Sequence, residues 1–123
     1  MSGNRYLADT NAFIYLLQKR PGILQLLQYE WSYTFITEIE LLGKPRIKST
    51  ETKVIRQMLD ASVKLAHTDA INEKAIALKQ RYALKTPDAI IAASALHHEL
   101  PLLTADTDFS KIKELSIILI TLK

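Results

Sequence analysis

The sequence predicts an α/β layer fold with a mostly parallel sheet. Three observations carry this reading. Short β-branched, aromatic or leucine-rich runs alternate with longer stretches at helical spacing. The connections between them are brief. Acidic residues (Asp9, Glu40, Asp88 and Asp106) recur where strands should end or helices begin. With 123 residues and 48% hydrophobic composition, the chain is expected to form one domain, 1–123, that buries its core without covalent staples.

Arg5 to Ala8 reads as the first strand, closed by Asp9. Asn11 to Gln18 has helical spacing and ends near Arg20-Pro21-Gly22. Ile23 to Tyr29 repeats the helical pattern through Ile23, Leu24, Leu26 and Leu27. Ser32 to Ile36 is aromatic and β-branched, which predicts a second strand. Thr37 to Leu42 starts a helix, and Gly43 to Thr50 is the clearest break. Glu51 to Asp60 is helical, and Val63 to Ala66 is a third strand. Asp69 to Tyr82 is amphipathic, with Ile71, Ala75, Leu78 and Tyr82 on one stripe. Pro87 to His97 is apolar nearly all round, so it predicts a buried helix. Leu102 to Thr104 is a strand, Phe109 to Glu114 a short helix, and Ser116 to Leu122 the last strand.

The composition excludes several chemistries. There are no cysteines, so neither a disulfide scaffold nor a thiolate nucleophile is available. The glycines, Gly3, Gly22 and Gly43, are scattered, and Asp9-Thr10-Asn11 stands where a dinucleotide-binding fold needs them clustered. No run is apolar for long enough to span a bilayer, and the first eight residues lack a signal-peptide core. The expectation is a soluble protein of the cytoplasm. A net charge of +3 permits a nucleic-acid partner without requiring one.

In open parallel sheets, ligands bind beyond the carboxyl ends of the strands, where strand order reverses. Asp9 and Asp106 follow strands, and Glu40 and Asp88 read as residues of first helical turns. A fold of this class can bring all four to one edge, where their oxygens suit Mg²⁺ or Mn²⁺. Each also has a capping explanation. Thr37-x-x-Glu40 has the form of a capping box, and Thr86-Pro87-Asp88 that of an N-cap, a proline at the first helical position and an acid on the dipole. Asp9 or Asn11, and Asp106 or Asp108, could serve as N-caps. What favours a site is the joint pattern, because capping does not require an acid after two separate apolar strands.

Four segments in order carry a family resemblance: Leu7-Ala8-Asp9-Thr10-Asn11, Thr37-Glu38-Ile39-Glu40-Leu41, Leu84 to Ala93 around Thr86-Pro87-Asp88, and Leu103-Thr104-Ala105-Asp106-Thr107-Asp108-Phe109. The chain resembles a PIN domain, and within that family the small VapC-type toxins of toxin–antitoxin modules. The resemblance implies a three-layer α/β/α fold with a five-stranded sheet. It implies an Mg²⁺- or Mn²⁺-dependent endoribonuclease, usually a homodimer, restrained by a cognate antitoxin. By position it makes Asp9, Glu40, Asp88 and Asp106 the catalytic, metal-binding quartet, with Thr10 and Thr104 as polar supports. Asp108 competes with Asp106 for the fourth role, Asp106 being nearer the strand end and Asp108 the expected cap of the short helix. Gly43 comes one residue earlier than in many relatives, and Ala105 replaces a common basic residue.

Other features have ordinary and functional readings side by side. Lys44, Arg46 and Lys48, with Lys53 and Arg56, are candidate RNA contacts or simply solvated charges. Trp31, Tyr29 and Tyr33 could stack on bases, but a half-buried strand edge or a dimer contact is the plainer expectation. His97-His98-Glu99 reads as a polar helix end, since adjacent histidines diverge on a helix. Leu16, Leu17, Ile23, Leu24 and Leu27 offer a surface for a dimer or antitoxin helix. The alternative to an enzyme is a non-catalytic PIN-like module that binds RNA or protein. A DNA-directed nuclease would share the metal chemistry.

Overall fold

The computed structural model describes residues 4–121. Five strands form one sheet: β1 (Arg5–Ala8), β2 (Glu30–Tyr33), β3 (Val63–Lys64), β4 (Leu102–Thr104) and β5 (Ile117–Leu119). Their spatial order is β3-β2-β1-β4-β5, and every neighbouring pair is parallel. The order runs outward from β1 to β3 and then resumes on the other side of β1. The crevice between β1 and β4 is therefore the switch point of the sheet.

Strand side chains alternate between two apolar layers, as the pleat requires. Leu7 and Leu102 join one cluster, and Tyr6, Ala8 and Leu103 join the other. The first cluster is covered by α5 (Asp69–Tyr82) and α6 (Thr86–His97). The second is covered by α1 (Thr10–Leu17), α3 (Phe35–Leu42) and α4 (Ser49–Asp60). This makes three layers. Ile71, Ala75 and Leu78 are the buried stripe of α5, and Thr68 caps that helix by accepting from the Ile71 N–H at 3.3 Å. Ala89 and Ile91 to Ala95 of α6 are all buried, so the small residues of this helix let it pack closely on its neighbours.

Several boundaries differ from the sequence expectation. The second strand starts and ends earlier than Ser32 to Ile36, because Phe35 and Ile36 open α3. Ile23 to Tyr29 is not a continuous helix. It is a single α turn, α2 (Pro21–Leu24), followed by a 3₁₀ turn, Gln25–Gln28. The third strand is two residues long, and the helix expected at Phe109 to Glu114 is a 3₁₀ turn at Thr107–Lys111. The last strand is also shorter than expected, and Leu122 lies outside the described residues.

Trp31 and Tyr33 belong to the core of an interior strand, not to a strand edge or a stacking platform. Phe13 meets their rings edge-on at 5.1 and 6.1 Å. Within the Leu-rich run Ile23 is fully buried, whereas Leu24 and Leu27 are half exposed. The Gly22 backbone lies against the segment just after β5, since a Cβ there would lie 2.1 Å from the Thr121 carbonyl oxygen. Among the described residues no helix is long and apolar enough to cross a membrane.

Candidate active site

One cavity of about 270 Å³ opens at the carboxyl ends of β1 and β4. Asp9, Glu40, Asp88 and Asp106 line it, with Thr10, Asn11, Ile14, Ile91 and Phe109. The four acids come from four elements spread along the chain, and the sheet order brings them to one edge.

Asp9 is buried and has two jobs. As N-cap of α1 it accepts from the Ala12 N–H at 2.8 Å through Oδ1. Its Oδ2 accepts from the fully buried Thr104 hydroxyl at 2.5 Å. The Thr104 oxygen also accepts from the Asp106 N–H at 2.9 Å. A single side chain at the end of β4 thus positions both strand-end acids.

Glu40 is held differently. The helix expected to start at Thr37 starts at Phe35, with Thr34 as N-cap and no side-chain cap bond. Glu40 is therefore at the sixth helical position, not in the first turn, and Thr37 forms no capping box with it. Thr10 donates to Glu40 Oε1 at 2.6 Å and lies 2.9 Å from the buried Thr37 hydroxyl. Because the one Thr10 hydroxyl proton goes to Glu40, Thr37 must be the donor in the second contact.

Asp88 does sit in the first turn of its helix. The N-cap is Lys85 rather than Thr86, and it makes no side-chain cap bond. The Thr86 hydroxyl instead accepts from Lys79 Nζ at 3.0 Å. Asp106 keeps its expected place in the site and also takes the capping role expected of Asp108. Asp106 is the N-cap of the 3₁₀ turn and accepts from the Asp108 N–H at 2.9 Å. Asp106 also lines the cavity, whereas Asp108 is exposed within that turn.

Burial is the main cause that pushes the Asp9 carboxyl above the usual carboxylate range, and the charges of Asp106 and Asp88 add to it. The Thr104 and Ala12 hydrogen bonds work against that shift. Asp88 is also raised, by burial first and then by Asp106 and Glu40, and nearby Lys85 moderates the effect. Crowded carboxylates that resist ionisation are what a divalent cation relieves, and an all-oxygen donor set suits Mg²⁺ or Mn²⁺. The side chains are not gathered into a ready cage: among the described residues no group of three acids or histidines is placed to hold one ion. Their separation has visible causes. Asp9 uses both oxygens on the protein, Glu40 turns to Thr10, and Asp106 turns to its own helix.

The basic loop after α3 stands apart from this cavity. Lys44 pairs with Glu51 at 2.9 Å, Arg46 has a left-handed backbone with φ 61°, and Lys48 is the N-cap of α4. Arg56 is engaged by Glu38 at 2.7 Å. Lys44 does line a second cavity, which shares Ile14 and Glu40 with the first. Sequence reasoning did not place Asn11, Ile14, Ile91 or Phe109 at the site. A signal was available for two of them, because Ile14 and Ile91 lie one helical turn from Asn11 and Asp88. Lys85 was also missed, three positions before Asp88.

Comparison with known proteins agrees with this architecture. The family model "PIN domain" matches residues 6–115. Ribonuclease VapC4 of Mycobacterium tuberculosis is 32% identical over 130 residues, covering 98% of this chain and 100% of that protein. A chain of a toxin–antitoxin complex from Klebsiella pneumoniae is 33% identical, with a TM-score of 0.78 over 89% of this chain and 94% of that one. A chain of VapBC2 from Rickettsia felis, bound to a promoter DNA fragment, shares the fold at 16% identity, with a TM-score of 0.85 over 95% of this chain and 99% of that one. By the extent of the family match and the likeness to VapC4, the chain belongs to the PIN domain family.

Proposed function

We propose that this chain is a divalent-metal-dependent endoribonuclease, the toxin of a toxin–antitoxin module. The observation that carries the proposal is the cavity at the switch point of the sheet, with a carboxylate from each of four separate elements in its walls. Likeness to Ribonuclease VapC4 and to a chain of a toxin–antitoxin complex supports the substrate class and the module. Asp9, Glu40, Asp88 and Asp106 would hold Mg²⁺ or Mn²⁺. When bound, such an ion supplies a Lewis acid for phosphoryl oxygens and makes water a better nucleophile at neutral pH.

The residues themselves do the rest. Thr104 and the α1 N-terminus fix both oxygens of Asp9, so that acid cannot swing. Thr37 and Thr10 relay a hydrogen bond to Glu40 and set its reach. Ile14, Ile91 and Phe109 give the cavity apolar walls, which lower the local dielectric and strengthen each charge interaction within it. We further propose that the chain works as a single domain over 1–123, as a homodimer, in the cytoplasm, with RNA as substrate and a cognate antitoxin as partner.

The test is Asp9→Asn. The variant should keep its far-ultraviolet circular dichroism and lose RNA cleavage together with Mn²⁺ binding by calorimetry. Full cleavage by the variant, or by the wild type in excess chelator, sinks the reading. A second reading is a PIN-like module that binds RNA or protein without cutting, since the acids among the described residues are not gathered into a ready-made cage. No heat of Mn²⁺ binding at millimolar metal would decide for it.

A further inference from the structure

Beside the acid cavity lies a second one of about 480 Å³, and the two share Ile14 and Glu40 as a common wall. Its lining is mostly aliphatic, from Ile14, Leu17, Leu41 and Ile55. Four polar side chains interrupt that surface: Gln18, the shared Glu40 and the Lys44–Glu51 ion pair. A concave, mainly apolar site with a few fixed polar groups is the usual form of a small-ligand pocket.

We infer that this second cavity is a nucleobase subsite, which takes the base next to the phosphodiester held among the carboxylates. The inference rests on the ribonuclease reading. A strand with a phosphate in the acid cavity must place the neighbouring nucleoside within one wall's thickness of it. The Ile14–Glu40 wall leads directly to a space of suitable character. Single-stranded RNA is recognised by splaying out a base, packing its faces and bonding its edge. Leu17 and Leu41 supply the packing surface. Gln18 supplies the edge contact: its carbonyl oxygen already accepts from Arg20 Nε at 2.9 Å, which leaves the amide N–H groups as donors. Lys44, on the rim, is held by Glu51 at 2.9 Å yet keeps further N–H donors for a flanking phosphate. Gln18 is then a specificity-determining residue, and base preference arises outside the acidic quartet.

The test is a methyl NMR titration of the whole chain in Mg²⁺ with the four nucleoside 5′-monophosphates, with RNA cleavage measured in parallel. Shifts should concentrate on the Ile14, Leu17, Leu41 and Ile55 methyls, with unequal affinities for the four. Gln18→Ala, a change at an exposed helix end, should narrow that spread by about tenfold. Leu17→Trp should fill the cavity and abolish the shifts. The same variants should change base preference next to the cleaved bond while Mn²⁺ affinity stays as in the wild type. Absent shifts, or shifts confined to Ile91, overturn the subsite even where cleavage persists. Nucleotide binding with no cleavage leaves the subsite standing and removes the ribonuclease reading. If Leu17→Trp leaves nucleotide affinity intact and instead releases the co-purified antitoxin, the groove is a protein-docking surface and the inference falls.

Discussion

Replacing Thr104 by Val tests whether one hydroxyl holds the site together. Val keeps the volume and β-branching that suit β4, so the change removes hydrogen bonds and little else. Two are lost: the donor to Asp9 Oδ2 and the acceptor for the Asp106 N–H. A hydrogen bond to a charged group is worth about 1.5–3 kcal/mol, and a neutral one about 1 kcal/mol. The Asp106 amide is part-buried and recovers some of its loss from water. The variant should therefore be less stable by roughly 2–3 kcal/mol, a drop in Tm of roughly 6–15 °C for a chain of this length.

The pH dependence of this loss follows from Asp9. The Thr104 bond lowers a carboxyl that burial raises, so without it the native-state pKa of Asp9 climbs further. The variant's native state then binds protons more readily, and its stability falls more steeply as pH rises above the ordinary carboxylate range. The ionic part of the gap between the two proteins should be largest above the variant's Asp9 pKa and should vanish as the pH falls from there to the wild-type Asp9 pKa. Urea unfolding in chelator at neutral and acidic pH measures it, and Mn²⁺ calorimetry should show affinity weaker by about 10–100-fold. Thr104→Ser should restore most of both. Equal stability of Thr104→Val and the wild type at pH 7.5, with unchanged Mn²⁺ affinity, would refute the role given to this residue.

Asp88→Asn should separate stability from activity. Because the folded-state pKa of Asp88 is raised, its ionisation costs stability above the unfolded value, and that cost is absent at lower pH. The metal-free variant should thus melt a few degrees higher than the wild type at pH 7, converge with it in acid, and cleave no RNA. A lower melting temperature at pH 7 contradicts the like-charge account. Gly22→Ala should cost about 1–3 kcal/mol, because the new methyl meets the Thr121 carbonyl and the backbone has to move. The urea midpoint reads this directly, and an unchanged midpoint means that the end of β5 yields freely.

Legibility varied with the kind of signal each residue carried. The first and fourth strands and α5 could be read to the residue, because their apolar patterns are bounded by Asp9, by Pro101 and by Thr68. The starts of α3 and α6 could not, because Thr34 and Lys85 make no side-chain cap bond and so leave no mark in the sequence. Phe35 and Ile36 look like strand residues by their side chains, yet β2 ends at Tyr33 and they open α3. The capping reading of Thr37 failed because the helix already begins at Phe35, and the Thr37 hydroxyl serves Thr10 across a gap of 27 positions instead. Asp106 and Asp108 have equal propensity to cap, and the contact from Thr104 decides between them. The cavity shared through Ile14 and Glu40 joins three helices and has no sequence signature.

The placement of β4 beside β1 also fixes when, during synthesis, the site can exist. Asp9 and Thr104 are bonded although 95 positions separate them. A nascent chain that has emerged as far as α6 displays Asp9, Glu40 and Asp88 but has neither the Thr104 clamp nor Asp106. The long-range β1–β4 pairing is the kind of contact that forms late, after local helices. The cavity is therefore completed only once β4 and Asp106 have emerged, and a product truncated before Leu102 lacks it.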